Sequence, residues 1–202
     1  MKLRSSPPSP FGRKVKIGAF LCGIHLDIEW ADTLNPADSV RAQNPLGKIP
    51  VLLREDGFAI YDSPVILEYL DSLAGGGCIL PASGEARFRA LTTQALADGL
   101  MDAALLQVYE VRLRAEGERS TKWTDNQAGK VARALKALEA APPAHGPVSA
   151  VADVGEIALA CALGYLDLRF AGGWRADHPA LVEWLDAFAG RVPAFEATRA
   201  PS

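Results

Sequence analysis

A stretch punctuated by glycine and proline, Ala74-Gly75-Gly76-Gly77 followed by Pro81-Ala82-Ser83-Gly84, divides this chain into two parts of different periodicity. It can neither continue a helix nor join a sheet, so it reads as a linker. Ahead of it, short β-like runs alternate with helical ones. Residues 2–5 read as a strand, and a helix from Pro10 puts Phe11, Val15, Ala19 and Cys22 on one face before Gly23 closes it. Residues 25–30, 51–54 and 58–61 read as three further strands, with Glu55-Asp56-Gly57 as a tight hairpin turn between the last two. A helix over 64–73 completes the order βαβ, then ββα, which describes a small α/β unit with a mixed sheet. Beyond the linker nothing reads as strand. Helices are expected over 86–115, 124–140 (ended by Pro142-Pro143), from Val154, and around Leu181, Trp184, Leu185 and Phe188. The helix from Val154 is apolar over most of its circumference and therefore belongs in a core, where Met101 and Trp174 are also expected. The expected division is 1–74 for the α/β part, 75–83 for the linker and 84–202 for an all-helical part.

Composition excludes several functions. The formal charge of −3 and 22% charged residues suggest neither nucleic acid nor an anionic membrane as partner. No apolar run reaches the roughly 18 residues that span a bilayer, and the N-terminus lacks the apolar core of a signal peptide, so a cytoplasmic protein is expected. Cys22, Cys78 and Cys161 are widely spaced and form no C-x-x-C pair, and there are three histidines. Neither a disulfide framework nor a metal site is expected.

Three segments carry chemistry. Asn44-Pro45-Leu46-Gly47-Lys48-Ile49-Pro50-Val51-Leu52 is a turn running into a strand that starts just after a proline. Its plain account is a strand-initiating turn, and its functional one is a cis Ile49-Pro50 bond. In Tyr61-Asp62-Ser63-Pro64, serine as N-cap and proline at the first helical position make an ordinary helix start. The same N-terminus suits a carboxylate ligand, and Asp62 beside it suits an ammonium, so a zwitterionic amino-acid head finds both partners. In Ser6-Pro7-Pro8-Ser9-Pro10-Phe11-Gly12-Arg13-Lys14, Ser9 either caps a helix or, at the positive helix end near Arg13, donates to a ligand thiolate and lowers its pKa. Ser5 and Ser6 are rivals for that hydroxyl, although Ser5 belongs to the first strand and Ser6 precedes two prolines that are expected to carry it away. No G-x-S-x-G or framed histidine suggests a serine-hydrolase triad.

In this order and spacing the three segments resemble the glutathione-binding half of the cytosolic glutathione transferases, of the serine type found in tau-like and bacterial members. Arg191-Val192-Pro193-Ala194-Phe195 is similar to the tail of that family. The resemblance implies a thioredoxin-like N-terminal domain followed by an all-α C-terminal domain. It implies Ser9 as thiol activator, a cis Pro50, the Ile49 backbone against the cysteinyl part of glutathione, Asp62 and Ser63 on its γ-glutamyl end, and Lys48 near the ligand. Glutathione is then a co-substrate, joined by a small hydrophobic electrophile; no permanently bound cofactor is expected, and a homodimer is. The activity implied is conjugation, with two alternatives: a catalytically weak or inactive binding or regulatory relative, and a glutathione-dependent peroxidase.

One departure from the family pattern concerns the helix from Val154. Its usual Ser/Thr-x-x-Asp cap has Ala150 at the serine position and Asp153 at the acid, so a weakened cap is expected. For the co-substrate, Asp98, Asp102, Leu105 and Tyr109 share one face of the long helix. Acids four apart repel, which calls for a compensating partner or a role; a solvated face is the equal alternative.

Overall fold

The computed structural model describes residues 1–144, 149 and 151–201. In chain order it contains β1 (Lys2–Ser5), α1 (Pro10–Leu21), β2 (Asp27–Trp30), α2 (Val40–Gln43), β3 (Val51–Leu53), β4 (Ala59–Ile60), α3 (Ser63–Leu73), α4 (Gly84–Leu113), α5 (Thr121–Ala140), α6 (Val154–Phe170), α7 (Pro179–Arg191) and α8 (Ala194–Ala197). A four-stranded α/β domain is thus followed by a helical one, as expected. The sheet order is β2-β1-β3-β4, with β1 parallel to β2 and antiparallel to β3, and β3 antiparallel to β4. The sheet is therefore mixed. Gly57, at φ +83°, closes the β3–β4 hairpin by donating to the Arg54 carbonyl at 3.0 Å.

Helix α1 is buried on two sides. Val15 and Ala19 pack with Leu3 and Leu52 of the sheet and Leu70 of α3, whereas Ile17 joins the core of the helical part. One helix thereby ties the two halves together. In the helical part α6 is the axis: twelve of its residues are buried, from Val154 to Leu166. A helix apolar all round can satisfy burial only in this way.

Several boundaries differ from expectation for identifiable reasons. Helix α2 carried no periodic signal; it is fixed by Asp38, whose carboxylate accepts from Val40 N–H at 2.8 Å and pairs with the buried Arg4 at 2.7 Å. Helix α5 starts earlier, because the Ser120 hydroxyl accepts from Trp123 N–H at 3.3 Å. Helix α4 stops at Leu113, two residues early. The weakened cap of α6 is corrected. Ala150 lies outside the described residues, but Asp153 is itself the N-cap: Oδ1 accepts from Gly155 and Glu156 N–H at 2.9 and 3.0 Å, and Glu156 Oε2 accepts from Asp153 N–H at 3.1 Å. This reciprocal box needs no serine upstream.

Candidate functional site

Ser9 is the N-cap of α1. Its Oγ accepts from Gly12 N–H at 3.1 Å, so the hydroxyl proton is free to donate elsewhere; of the first-turn N–H groups only that of Phe11 is left over, since Pro10 has none and Arg13 N–H donates to the Ser9 carbonyl at 3.0 Å. Ser5, by contrast, is fully buried, and Gly12 has no room for a Cβ because that atom would strike the Ser5 hydroxyl. Ser5 is part of the floor under α1. Ser6 is not carried away as expected; it lines the same cleft as Ser9, and its carbonyl accepts from Ser9 N–H at 3.1 Å. Arg13 turns from the site altogether. Its guanidinium stacks 3.9 Å over the Phe195 ring and donates to the Phe195 carbonyl and, at 3.3 Å, to the Thr198 hydroxyl.

The 44–50 loop is braced from inside by Asn44, which is 2% exposed. Its Nδ2 donates to the Lys48 carbonyl at 2.9 Å and its Oδ1 accepts from Leu46 N–H at 3.0 Å, while Gly47 at φ +62° makes the turn that no side chain adopts easily. The Ile49-Pro50 bond is cis. Lys48 is exposed and Ile49 half-buried at the cleft edge, and the Ile49 peptide N–H and C=O have no hydrogen-bond partner among the described residues. Such an edge can pair with an extended ligand.

At the start of α3 the cap is Asp62 rather than Ser63, and the Tyr61-Asp62 bond is also cis. The Asp62 carboxylate makes no capping bond and is exposed. Ser63 is buried, with its Oγ accepting from the Lys14 ammonium at 3.2 Å. Lys14 in turn reaches both carboxylate oxygens of Asp98, at 2.6 and 2.8 Å. Asp98 therefore belongs to this buried chain and not to the wall of the co-substrate pocket where the sequence placed it. Burial raises its carboxyl pKa, and Lys14 pulls it partly back.

Ser9, Lys48, Ile49, Asp102, Leu105 and Tyr109 do converge. They line one cleft of about 320 Å³ between the two halves, whereas Pro50, Asp62, Ser63 and Asp98 are not part of its lining. Burial also raises the Asp102 carboxyl, offset by Lys48. The same cleft is lined by Val108, Arg112, Tyr165 and Arg169, none of which the sequence singled out. Only Arg112 had a readable signal, three residues after Tyr109 on the same helical face.

The comparisons with known proteins bear on this geometry. The glutathione S-transferase N-terminal domain family matches residues 8–73, and the C-terminal domain family matches 121–187. The GST-like protein YibF of Escherichia coli (strain K12) is 36% identical over 202 residues, covering 100% of this chain and 99% of its own. This chain belongs to the glutathione S-transferase family. Among solved glutathione S-transferases, one from Methylobacillus flagellatus with glutathione bound is 34% identical, covers 99% of each chain and superposes with a TM-score of 0.90. A family member from Pseudomonas fluorescens Pf-5, 41% identical over 100% of each chain with a TM-score of 0.86, holds S-(propanoic acid)-glutathione. In this family member, no group of three or more His, Cys, Asp or Glu among the described residues could hold a metal ion, and no described helix is long and apolar enough to cross a membrane.

Proposed function

We propose that this family member binds glutathione in the cleft beside α1 and transfers its thiolate to a small electrophile. The observation that carries the reading is the Ser9 hydroxyl, which lines the cleft and whose oxygen accepts from Gly12 N–H, leaving its proton free to donate to a ligand. Glutathione lies extended along the Ile49 edge and pairs with its free peptide groups. Its γ-glutamyl ammonium meets the Asp62 carboxylate, and its γ-glutamyl carboxylate meets the N-terminus of α3 at Ser63. Ser9 then donates to sulfur and, with the positive end of α1, favours the thiolate. A free thiol with a pKa near 8.5 is only about 3% ionised at pH 7, and lowering it by two units makes it about three-quarters ionised. The thiolate forms a bond to carbon while the leaving group departs with its electron pair, or, in an addition, the displaced π pair is protonated. The relative that holds a glutathione substituted on sulfur supports a cleft open at that atom.

Titration calorimetry with glutathione, run beside turnover assays on halide, unsaturated-carbonyl and hydroperoxide substrates, tests this. Binding with conjugation is expected. Binding without any turnover would instead mark a binding protein, and turnover of hydroperoxide alone a peroxidase.

A further inference from the structure

The cleft face of α4 is chemically graded. Asp102, Leu105, Tyr109 and Arg112 follow one another at spacings of three and four, so they form one stripe, and ten residues at 1.5 Å rise put about 15 Å between its ends. Its acidic end is met by cations, since the Asp102 carboxyl feels both Lys48 and Lys14. Among the described residues its basic end has no ion-pair partner. Arg112 stands in the last turn of α4 and Arg169 in the last turn of α6, and both line the cleft together with Tyr109 and Tyr165. The Arg169 guanidinium lies 5.9 Å from the Tyr165 ring centroid.

Elsewhere in the molecule most arginines are occupied, the exposed Arg133 of α5 being an exception that lines no cleft with a second arginine. Arg4, Arg87, Arg114, Arg175 and Arg191 each hold a carboxylate, and Arg41 and Arg119 hold backbone carbonyls. Among the described residues neither Arg112 nor Arg169 has an ion-pair partner. A cation in the last turn does complement the helix dipole, which accounts for one basic residue at each helix end. It does not account for two helices ending on the same cleft with their guanidiniums, beside two phenols and with no acid between them. Guanidinium forks and phenol hydroxyls together are donors arranged for a carboxylate.

We propose that the electrophile accepted by this cleft carries a carboxylate, held by Arg112 and Arg169 with Tyr109 and Tyr165 at the end of the cleft remote from Asp102. This rests on the glutathione-transfer reading and narrows its co-substrate from a merely hydrophobic molecule to an anionic one. Bond making at sulfur is unchanged. The arginines orient the co-substrate so that its reactive carbon, and not its charged end, faces Ser9.

The test is calorimetry on the full chain with three ligands: glutathione, glutathione with a propanoic acid tail on sulfur, and the same adduct as its neutral carboxamide. The acid should bind about tenfold tighter than the amide to the natural protein, and the gap should shrink with added salt. In Arg112→Gln/Arg169→Gln the two adducts should bind alike while glutathione affinity stays within about twofold; Arg112→Lys/Arg169→Lys should restore part of the preference. Both positions are exposed, and the single Gln variants, each expected to lose part of the gap, serve if the double variant does not fold. Equal binding of acid and amide by the natural protein, or a gap that survives in the folded Gln variants, overturns this inference alone. Failure of glutathione itself to bind overturns the transfer reading as well.

Discussion

The Lys14 ammonium, buried in α1, sits 2.6 Å from Oδ1 of Asp98 in α4 and 3.2 Å from the hydroxyl of Ser63 in α3. One charge thus joins the helix capped by Ser9, the helix at whose start the γ-glutamyl site is proposed, and the first helix of the helical domain. Breaking a buried pair from one side is costly because the remaining charge keeps its desolvation penalty. Lys14→Met should therefore destabilise the fold by about 3 kcal/mol, a Tm loss of roughly 6–12 °C. Lys14→Met/Asp98→Leu should recover most of that in thermal melts. The deficit of the single variant also has a pH signature. Without Lys14 the Asp98 carboxyl rises further above its unfolded value, so the penalty is full above the raised pKa and fades as pH falls toward the unfolded pKa. The Tm gap between Lys14→Met and the natural protein should be wider at pH 7 than at pH 5.

Ser9→Ala should raise the thiol pKa of bound glutathione and lower turnover at neutral pH, with much of the loss regained at high pH. Thiolate absorbance across a pH series reads this directly. Because Ser9 also caps α1, the variant should lose about 1 kcal/mol of stability, and its fold must be checked by circular dichroism. Ser6→Ala, on the same cleft, is the informative control and should do less. Loss of activity in Ser6→Ala with an unchanged Ser9→Ala would reverse the assignment.

Asp62→Asn and Ser63→Ala should act on glutathione binding more than on chemistry, since both groups are remote from sulfur and grip ground and transition states equally. Steady-state kinetics should show the glutathione KM raised about tenfold with kcat within about threefold. Ser63→Ala should in addition cost about 1 kcal/mol of stability through the lost bond to Lys14, a loss Asp62→Asn does not share. A fall in kcat at constant KM would contradict this division.

Two of the protein's own thiols, Cys22 and Cys161, should be poor nucleophiles at neutral pH. Burial pushes the Cys22 thiol up to about 12, helped by neighbouring Cys78, and the fully buried Cys161 up to about 11. Alkylation with mass mapping on the native protein should find both unmodified at pH 7 after complete modification of a denatured sample. Rapid labelling of Cys161 would show that α6 opens far more than its packing suggests.

Much of this could be read from the residues, and the failures have a common cause. The order of elements was legible because glycine, proline and alternation act locally: Gly57 marks the hairpin and Pro10 and Pro64 mark helix starts. The α6 cap was also legible in principle, since Asp153 and Glu156 stand at capping-box spacing and need no serine at position 150. What the sequence hid were partners far apart along the chain. The repulsion between Asp98 and Asp102 called for a compensating charge, but nothing local says that Lys14, 84 residues earlier, supplies it. Arg112 and Arg169 lie on different helices and read separately as ordinary C-terminal cations. Asn44 looked like a turn residue, and only the folded loop shows both ends of its amide engaged.

The contact between Arg13 and the 195–198 segment gives the molecule a temporal order. Synthesis runs from N- to C-terminus, so the helix carrying Ser9 leaves the ribosome well before the 195–198 segment that restrains it. Until Phe195 and Thr198 arrive, the Arg13 guanidinium lacks the ring and the two oxygens that hold it. A nascent chain can thus hold the residues of its proposed thiol-activating site long before that site is mechanically secured.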